Sequence, residues 1–284
     1  MDGDCVPYRL VKNIYIFQSS MWQTNAAVII NEAANVVIDP CYFPVEITVI
    51  ANFVNRRRSF GKYVIFTHSD FDHIVGYQHF KGARLVAQEE LSMCDQEDQL
   101  FQLKEIDQTY YINRKVPFEF PEPDVTFASE HRIALSDDEL VLVHAPGHTG
   151  DSLFIISRNN RTMFAGDYLS DLEFPFIYFN TGAYIKTLEL AARLVREHDI
   201  EYIVPGHGEI AKGKDEILER ISRDKEYLNN ITNTVQDLLA HGLPEWEVIE
   251  AMKEIKYRSE PIEETIAKMH LENIKLVIKE LKRF

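Results

Sequence analysis

The sequence has few cysteines and no long apolar run. Its three cysteines, Cys5, Cys41 and Cys94, are odd in number and far apart, and no two form a C-x-x-C pair. This pattern indicates neither a disulfide framework nor a thiolate zinc site, so we expect three reduced thiols. Nowhere do about 18 apolar residues follow one another, and no basic segment followed by an apolar run opens the chain. We therefore expect a soluble, cytoplasmic protein without a membrane-spanning segment.

Basic residues are also scarce. The chain has 30 Lys and Arg against 45 Asp and Glu, a net charge of −15. Proteins that bind nucleic acid neutralise its phosphates with Lys and Arg, so an excess of acidic side chains disfavours such a partner. We expect a small-molecule substrate instead, with some of the acidic residues acting as metal ligands.

The apolar pattern changes in character near residue 210. Before it, short runs typical of strands alternate with helical patterns, and the order of strands followed by a helix occurs twice. This predicts an α/β fold of two packed sheets with helices outside. After it, apolar residues recur every three or four positions from Ile217 to Leu238, and Gly242 and Pro244 separate that helix from the next. We predict a catalytic domain of residues 1–210 and a helical subdomain of residues 211–284.

Four side chains that commonly bind metals lie within six residues. In the segment KYVIFTHSDFDHIVG, residues 62–76, an apolar strand leads into His68, Asp70, Asp72 and His73. Residues two apart in an extended backbone point the same way, so His68 and Asp70 can converge on one metal ion. Asp72 and His73, at the start of the following helix, can face a second ion. An ordinary polar turn with Asp72 as a helix N-cap would explain Asp72 alone.

Three further candidates each follow an apolar run and a glycine. They are His148 in HAPGHTGDS, Asp167 in MFAGD and His207 in IVPGHG. Glycine permits the tight turns that bring ligands close together. Each string alone is an ordinary turn or strand exit, but together with the first cluster they predict a metal site built from strand ends.

The motifs resemble, in order, those of the metallo-β-lactamase superfamily: H-x-H-x-D-H, then Gly-His, Gly-Asp and Gly-His. The resemblance implies a four-layer αββα sandwich that holds two divalent metal ions, with zinc as the first expectation. It implies that the first ion is held by His68, Asp70 and His148. It implies that the second is held by Asp72, His73 and His207. Asp167 would bridge both, and Asp39 would brace the ligand loop unless it is a plain strand-end aspartate.

One position departs from the family pattern. Asp70 stands where the family has its second histidine, which gives H-x-D-x-D-H. A carboxylate is a harder, more anionic ligand than imidazole, so iron or manganese becomes an alternative to zinc. It also lowers the positive charge of the centre and its attraction for anionic substrates. In the alternative interpretation Asp70 only forms hydrogen bonds and one metal site is weak or empty.

The resemblance implies hydrolysis of an ester-like bond in a small molecule: a thioester, a lactone or a phosphoester. A metal-bound hydroxide, from water whose pKa falls toward about 7, would attack the bond. Asp72 would be the catalytic residue that orients this water or takes a proton from it. The alternative is a non-haem diiron protein that binds or reduces oxygen or nitric oxide, because redox relatives carry a carboxylate at the second ligand position. The helical tail, however, lacks the pattern of a flavin domain.

Two segments have open roles. The stretch from Tyr168 to Tyr184 is rich in aromatic residues and forms either the wall of an apolar substrate pocket or part of the core. The helical tail either overhangs the active site or mediates a homodimer.

Overall fold

The computed structural model describes residues 6–282, so Cys5 lies outside the described part of the chain. It contains two large β-sheets. The first sheet has seven strands in chain order: β1 (Tyr8–Val11), β2 (Ile14–Gln18), β3 (Asn25–Ile29), β4 (Ala34–Ile38), β5 (Gly61–Ile65), β6 (Arg84–Gln88) and β7 (Val125–Phe127). The second has six strands, which from one edge to the other are β13 (Ala211–Lys212), β12 (Tyr202–Pro205), β11 (Thr162–Gly166), β10 (Leu153–Ser157), β9 (Glu139–His144) and β8 (Glu130–Ala134).

Seven α-helices accompany the sheets in the described residues. They are α1 (Pro44–Asn55), α2 (Phe71–Ile74), α3 (Gln96–Thr109), α4 (Thr181–Glu197), α5 (Lys214–Ala240), α6 (Glu245–Met252) and α7 (Ala267–Leu281). Short 3-10 helices span Tyr77–His79 and Glu89–Met93, and a hairpin joins β14 (Lys256–Tyr257) to β15 (Glu260–Pro261). The Asn180 side chain caps α4 by accepting a hydrogen bond from the Ala183 amide.

Apolar side chains form three layers of core. The central layer lies between the sheets, where Ile16 and Ile29 of the first sheet meet Leu142 and Ile155 of the second. The outer face of the first sheet packs on α1 and α3, and that of the second packs on α4 to α7. The order helix, sheet, sheet, helix confirms the predicted αββα sandwich with its helical extension. Each sheet has apolar residues on both faces because both faces are covered.

Parallel pairing brings the ends of four strands to one edge of the molecule. β4 pairs in parallel with β5, and β11 with β12. Asp39, His68, Asp167 and His207 follow these strands within one to three residues. The two sheets meet there, since the amide of Asn25 donates to the carbonyl of Gly206 over 2.7 Å. Candidate ligands from distant parts of the chain therefore converge.

Two elements show detail that the apolar pattern of the sequence does not give. The apolar run from Tyr8 to Phe17 forms two strands, with Lys12 in a left-handed conformation at the turn between them. Helix α3 has no pronounced apolar stripe, because Leu103 is its only buried side chain, and the sequence did not predict it. None of the helices among residues 6–282 has the length and apolar character needed to cross a membrane.

The C-terminal helices share a core with the second sheet. Phe174 and Ile177 lie in the same apolar cluster as Ile274 of α7. The buried Asn273 side chain accepts from the Ile177 amide over 2.9 Å and donates to the carbonyl of Pro175 over 2.7 Å. The tail therefore contacts the segment that follows Asp167. The predicted division at residue 210 stays a prediction.

Candidate metal centre

Asp39 orients two of the candidate histidines. Its carboxylate accepts hydrogen bonds from the Thr67 amide over 2.8 Å and from the Thr67 hydroxyl over 2.6 Å. The Thr67 oxygen, at 2.9 Å from His68 Nδ1, is therefore left to accept the proton of that nitrogen. His73 Nδ1 lies 3.0 Å from Asp39 Oδ2 and can only donate to it. The Nε2 atoms of both rings consequently carry lone pairs, as metal ligands require.

The other two histidines are oriented by backbone carbonyls. His148 Nδ1 lies 2.8 Å from the carbonyl of Phe176, and His207 Nδ1 lies 3.1 Å from that of Trp22. Since a carbonyl accepts only, both Nδ1 atoms donate, and in the neutral rings that bind metal both Nε2 atoms carry lone pairs. The loop bearing His148 is held by the contact of Thr149 Oγ1 with Ser152 Oγ over 2.7 Å.

The structure brings His68, Asp70, His148 and Asp167 into one group. Their ligand atoms all lie within 4.8 Å of one another. His148 Nε2 is 3.2 Å from Asp70 Oδ2 and 3.5 Å from Asp167 Oδ2, and the corresponding distances from His68 Nε2 are 3.6 and 3.7 Å. A tetrahedral ion with bonds of about 2.0–2.1 Å separates its ligands by about 3.3 Å. The four distances, 3.2 to 3.7 Å, lie at or slightly above that value.

Asp72, His73 and His207 form a second group, also within 4.8 Å. Asp72 Oδ2 lies 3.5 Å from His73 Nε2 and 3.3 Å from His207 Nε2. Asp167 borders this group too, with its Oδ1 at 3.1 Å from His73 Nε2 and its Oδ2 at 3.4 Å from His207 Nε2. All seven predicted residues are thus brought together, and Asp72 lies within α2 and is not its N-cap. Their role as ligands stays a prediction.

Several buried atoms lack the partners that a protein alone would supply. In residues 6–282, His68 Nε2 and Asp167 Oδ1 are buried without a hydrogen bond. The Nε2 atoms of His73 and His207 lie 3.3 Å apart, and in the neutral rings both carry lone pairs, so neither can donate to the other. A cation between such atoms would satisfy them. Imidazole and carboxylate together suit zinc, iron or manganese, and the residues therefore fit divalent cations.

Carboxylates and imidazoles lie next to one another in the site and shift each other's pKa values. Burial raises the pKa of the Asp70 carboxyl, but the hydrogen bond from His148 and the adjacent His68 imidazole outweigh this and hold the pKa well below its usual range. Burial lowers the pKa of His148, yet its hydrogen bond to Asp70 and the charge of Asp167 raise it to about 9. The carboxylates thus favour a positive charge among them. A divalent cation supplies that charge and displaces the imidazole protons.

Gln99 is a site residue that sequence reasoning missed. Its Nε2 donates to Asp70 Oδ1 over 3.1 Å, and its Oε1 accepts from the Phe71 amide over 2.8 Å. Because Gln99 binds Oδ1, the other oxygen of Asp70, Oδ2, is the one that faces His148. Gln99 lies on α3, which the apolar pattern did not predict, so no local signal identified it.

Glu173 was missed as well. A Glu173 oxygen lies within 4.8 Å of ligand atoms of Asp167 and His207. Burial raises the pKa of its carboxyl, against the opposing charge of His207. The only signal in the sequence was an acidic residue six positions after Asp167, within the aromatic stretch.

Gly206 is required by close packing. A Cβ atom at this position would lie 2.1 Å from Asp167 Oδ1 and 2.8 Å from His73 Cε1. Only a residue without a side chain allows the strand end to approach both groups. The glycine of the Pro-Gly-His string therefore serves the site directly.

The aromatic stretch divides between core and surface. Tyr168, Phe174 and Tyr184 are buried in the core, whereas Tyr178 and Phe179 are about half exposed, at 52% and 48%. The Tyr178 ring lies 5.0 Å from that of His148. Beside the second group, the Trp22 ring, 40% exposed, lies 6.5 Å from that of His207. Exposed aromatic rings therefore flank both groups.

Comparisons with known proteins agree with this geometry. Residues 20–207 match the family model described as the metallo-beta-lactamase superfamily. The chain is 27% identical over 150 residues to acyl-coenzyme A thioesterase MBLAC2 of Gallus gallus, an alignment that covers 50% of this chain and 54% of that protein. The chain thus spans about half the length of this curated relative.

Solved structures share the fold. The sec-alkylsulfatase Pisa1 from Pseudomonas sp. matches with a TM-score of 0.75 at 12% identity, over 97% of this chain and 50% of that one. A metallo-beta-lactamase family protein from Thermus thermophilus matches with a TM-score of 0.68 at 12% identity, over 97% and 95% of the two chains. With the family match over most of the chain and the convergent ligand-type side chains, the protein belongs to the metallo-beta-lactamase superfamily.

Proposed function

We propose that the protein is a hydrolase that uses two divalent metal ions to cleave an ester-like bond, with an apolar acyl thioester as the preferred substrate class. The observation that carries the proposal is the position of Asp167, whose two carboxylate oxygens border both groups of ligand-type side chains. A shared carboxylate is the arrangement expected of a dinuclear centre.

Each ion would have its own set of residues. His68, Asp70 and His148 would hold the first, Asp72, His73 and His207 the second, and Asp167 both. When bound, the ions polarise the scissile carbonyl and lower the pKa of the attacking water. The protein's own part is orientation: Asp39 and the carbonyls of Phe176 and Trp22 keep each Nε2 atom unprotonated. Asp72 accepts a proton from the attacking water in this proposal.

The surroundings of the centre support an apolar acyl group. The partly exposed rings of Trp22, beside His207, and Tyr178, beside His148, offer apolar surface next to both groups. The carboxylate at Asp70 adds negative charge at the centre and disfavours substrates whose scissile group is itself anionic, such as phosphoesters, whereas the scissile group of a thioester is neutral. The thioesterase relative makes a thioester the first choice, ahead of a lactone.

The test is hydrolysis by purified protein whose metal content is measured. Protein loaded with zinc, manganese or iron is assayed with an acyl thioester series, lactones and phosphodiesters. We expect thioester cleavage that rises with acyl length and is lost in Asp167→Asn, while the distant Asp124→Asn variant stays active. Fully loaded protein that cleaves none of the panel would contradict the proposal.

One observation favours a second candidate, a non-haem diiron protein. Asp70 places a carboxylate in the first group, within 3.2 Å of His148 Nε2, as in redox relatives of this fold. This candidate predicts iron bound in preference to zinc, a visible absorption band and consumption of oxygen or nitric oxide. A colourless, iron-free protein with esterase activity excludes it.

Three further proposals concern domain organisation, oligomeric state and cellular location. We propose that residues 211–284 form a helical subdomain, that the surface of this subdomain mediates a homodimer, and that the protein is cytoplasmic. Measurement of mass in solution tests the dimer, and fractionation of cells tests the location.

A further inference from the structure

We propose that Glu173 is an additional carboxylate ligand of the second metal ion, so that this ion has two imidazoles and three carboxylates around it and prefers manganese or iron to zinc. The inference rests on the proposed function, because it assumes that the Asp72, His73 and His207 group holds an ion.

The first support is position. Glu173, Asp167 and His207 offer ligand atoms that all lie within 4.8 Å of one another. None of the hydrogen bonds or ion pairs among residues 6–282 involves the Glu173 carboxylate. The side chain is only partly exposed. A partly buried carboxylate without a hydrogen-bond or ion-pair partner, placed near His207 and Asp167, is suited to a cation.

The second support comes from Asp167 itself. Its side chain is 10% exposed, and its buried Oδ1 makes no hydrogen bond although His73 Nε2 lies 3.1 Å away. Oxygen and nitrogen at this separation, without hydrogen-bond geometry, are consistent with atoms arranged around a common cation. Glu173 offers a carboxylate oxygen within 4.8 Å of a ligand atom of this same residue, Asp167.

The loop between Asp167 and Glu173 is held in place from two directions. The Asp171 carboxylate accepts from the Glu209 amide over 2.7 Å, which ties the loop to the turn after His207. From the helical tail, Arg258 donates to the Ser170 carbonyl over 3.0 Å. A loop fixed at both sides pre-organises Glu173 beside His207.

The chemical consequence is metal preference. Carboxylate oxygens are hard ligands that suit manganese and iron, whereas a site with three imidazoles would favour zinc. An extra carboxylate also raises the coordination number beyond the four that zinc usually takes in proteins. Glu173 therefore acts on Mn²⁺ affinity more than on Zn²⁺ affinity.

The test is competitive titration of Mn²⁺ and of Zn²⁺ into wild type, Glu173→Gln and the exposed control Glu226→Gln, with thermal unfolding to check that all three fold. We expect Glu173→Gln to lower the affinity for the second Mn²⁺ ion at least tenfold and to change the affinity for Zn²⁺ by less than threefold. In a protein that already carries His207→Ala, adding Glu173→Gln should not lower the Mn²⁺ affinity further. Glu226→Gln should match wild type.

Two results would overturn the inference. Unchanged Mn²⁺ affinity in Glu173→Gln removes it as a ligand, and equal losses for Mn²⁺ and Zn²⁺ assign it to loop positioning. Both leave the proposed function standing. A wild type that binds neither Mn²⁺ nor Zn²⁺ nor Fe²⁺ instead contradicts the proposed function, whatever the variants do.

Discussion

His73 Nδ1 lies 3.0 Å from Asp39 Oδ2, so a buried carboxylate from the end of one strand sets the tautomer of a histidine 34 residues later in the chain. The same carboxylate holds the Thr67 hydroxyl, which in turn orients His68. One residue therefore positions an imidazole of each candidate metal group.

Replacing Asp39 should weaken metal binding without removing any ligand. In Asp39→Asn the amide nitrogen meets a donor in either orientation: the Thr67 amide at the Oδ1 position, or the Thr67 hydroxyl and His73 Nδ1 at the Oδ2 position. We expect a loss of about 10–100-fold in metal affinity, as is typical for carboxylates that support ligating histidines. Titration with Zn²⁺ measures it. Asp124→Asn is the matched control, since Asp124 accepts from the Leu85 amide; equal losses in both variants would contradict the assignment.

Asp70 is the position that separates this chain from the family pattern. Asp70→Ala should reduce the bound metal from two ions to one, because the first group would then keep only His68, His148 and Asp167. Asp70→His should raise zinc affinity and shift activity toward anionic substrates, because it adds imidazole and removes a negative charge. Metal analysis and the substrate panel measure both. Unchanged stoichiometry in Asp70→Ala would show that Asp70 only forms hydrogen bonds.

Gly206 should tolerate no side chain. In Gly206→Ala the new Cβ would lie 2.1 Å from Asp167 Oδ1, so either the carboxylate or the strand end must move. We expect loss of at least one ion and of activity, with a far-ultraviolet circular dichroism spectrum like that of wild type. Gly61→Ala is the control, because its Cβ would have no contact closer than 3.5 Å. A Gly206→Ala protein with full metal content would refute this requirement.

Asp224 should make stability depend on pH. Burial raises its pKa to about 7, although a hydrogen bond from Tyr257 and the charges of Arg223 and Arg258 lower it. Because the folded pKa exceeds the unfolded value of about 3.9, this contribution to stability is complete below about pH 4 and is lost as pH rises to about 7. Asp224→Asn, which still accepts from Tyr257, should therefore be more stable than wild type at pH 8 by up to about 4 kcal/mol.

Urea unfolding between pH 5 and pH 8, at equal metal content, measures this difference. The advantage of Asp224→Asn over wild type should shrink steadily as pH falls. Asp237→Asn, an exposed position on the same helix, should show no such trend. Parallel pH profiles for wild type and Asp224→Asn would show that Asp224 ionises normally in the folded protein.

Apolar periodicity predicted two packed sheets with helices outside and a helical tail, and the resemblance to the metallo-β-lactamase superfamily implied the four-layer order and the grouping of His68, Asp70, Asp72, His73, His148, Asp167 and His207. These predictions succeeded because strand periodicity, strand-end glycines and ligand-type residues are local features that a single chain displays in order. The same periodicity missed α3, since a helix with one buried apolar side chain has no strong stripe.

The tertiary structure decided what the local pattern could not contain. The contact of Asp39 with His73, the placement of Gln99 on Asp70 and the position of Glu173 beside His207 each join residues from separate elements. The same holds for the aromatic stretch, where packing against the tail buries Phe174 and leaves Tyr178 exposed near His148. The sequence by itself thus determined which residues could bind metal, and only folding determined which groups support, shield and tune them, because such contacts depend on distance in space and leave no periodic signal along the chain.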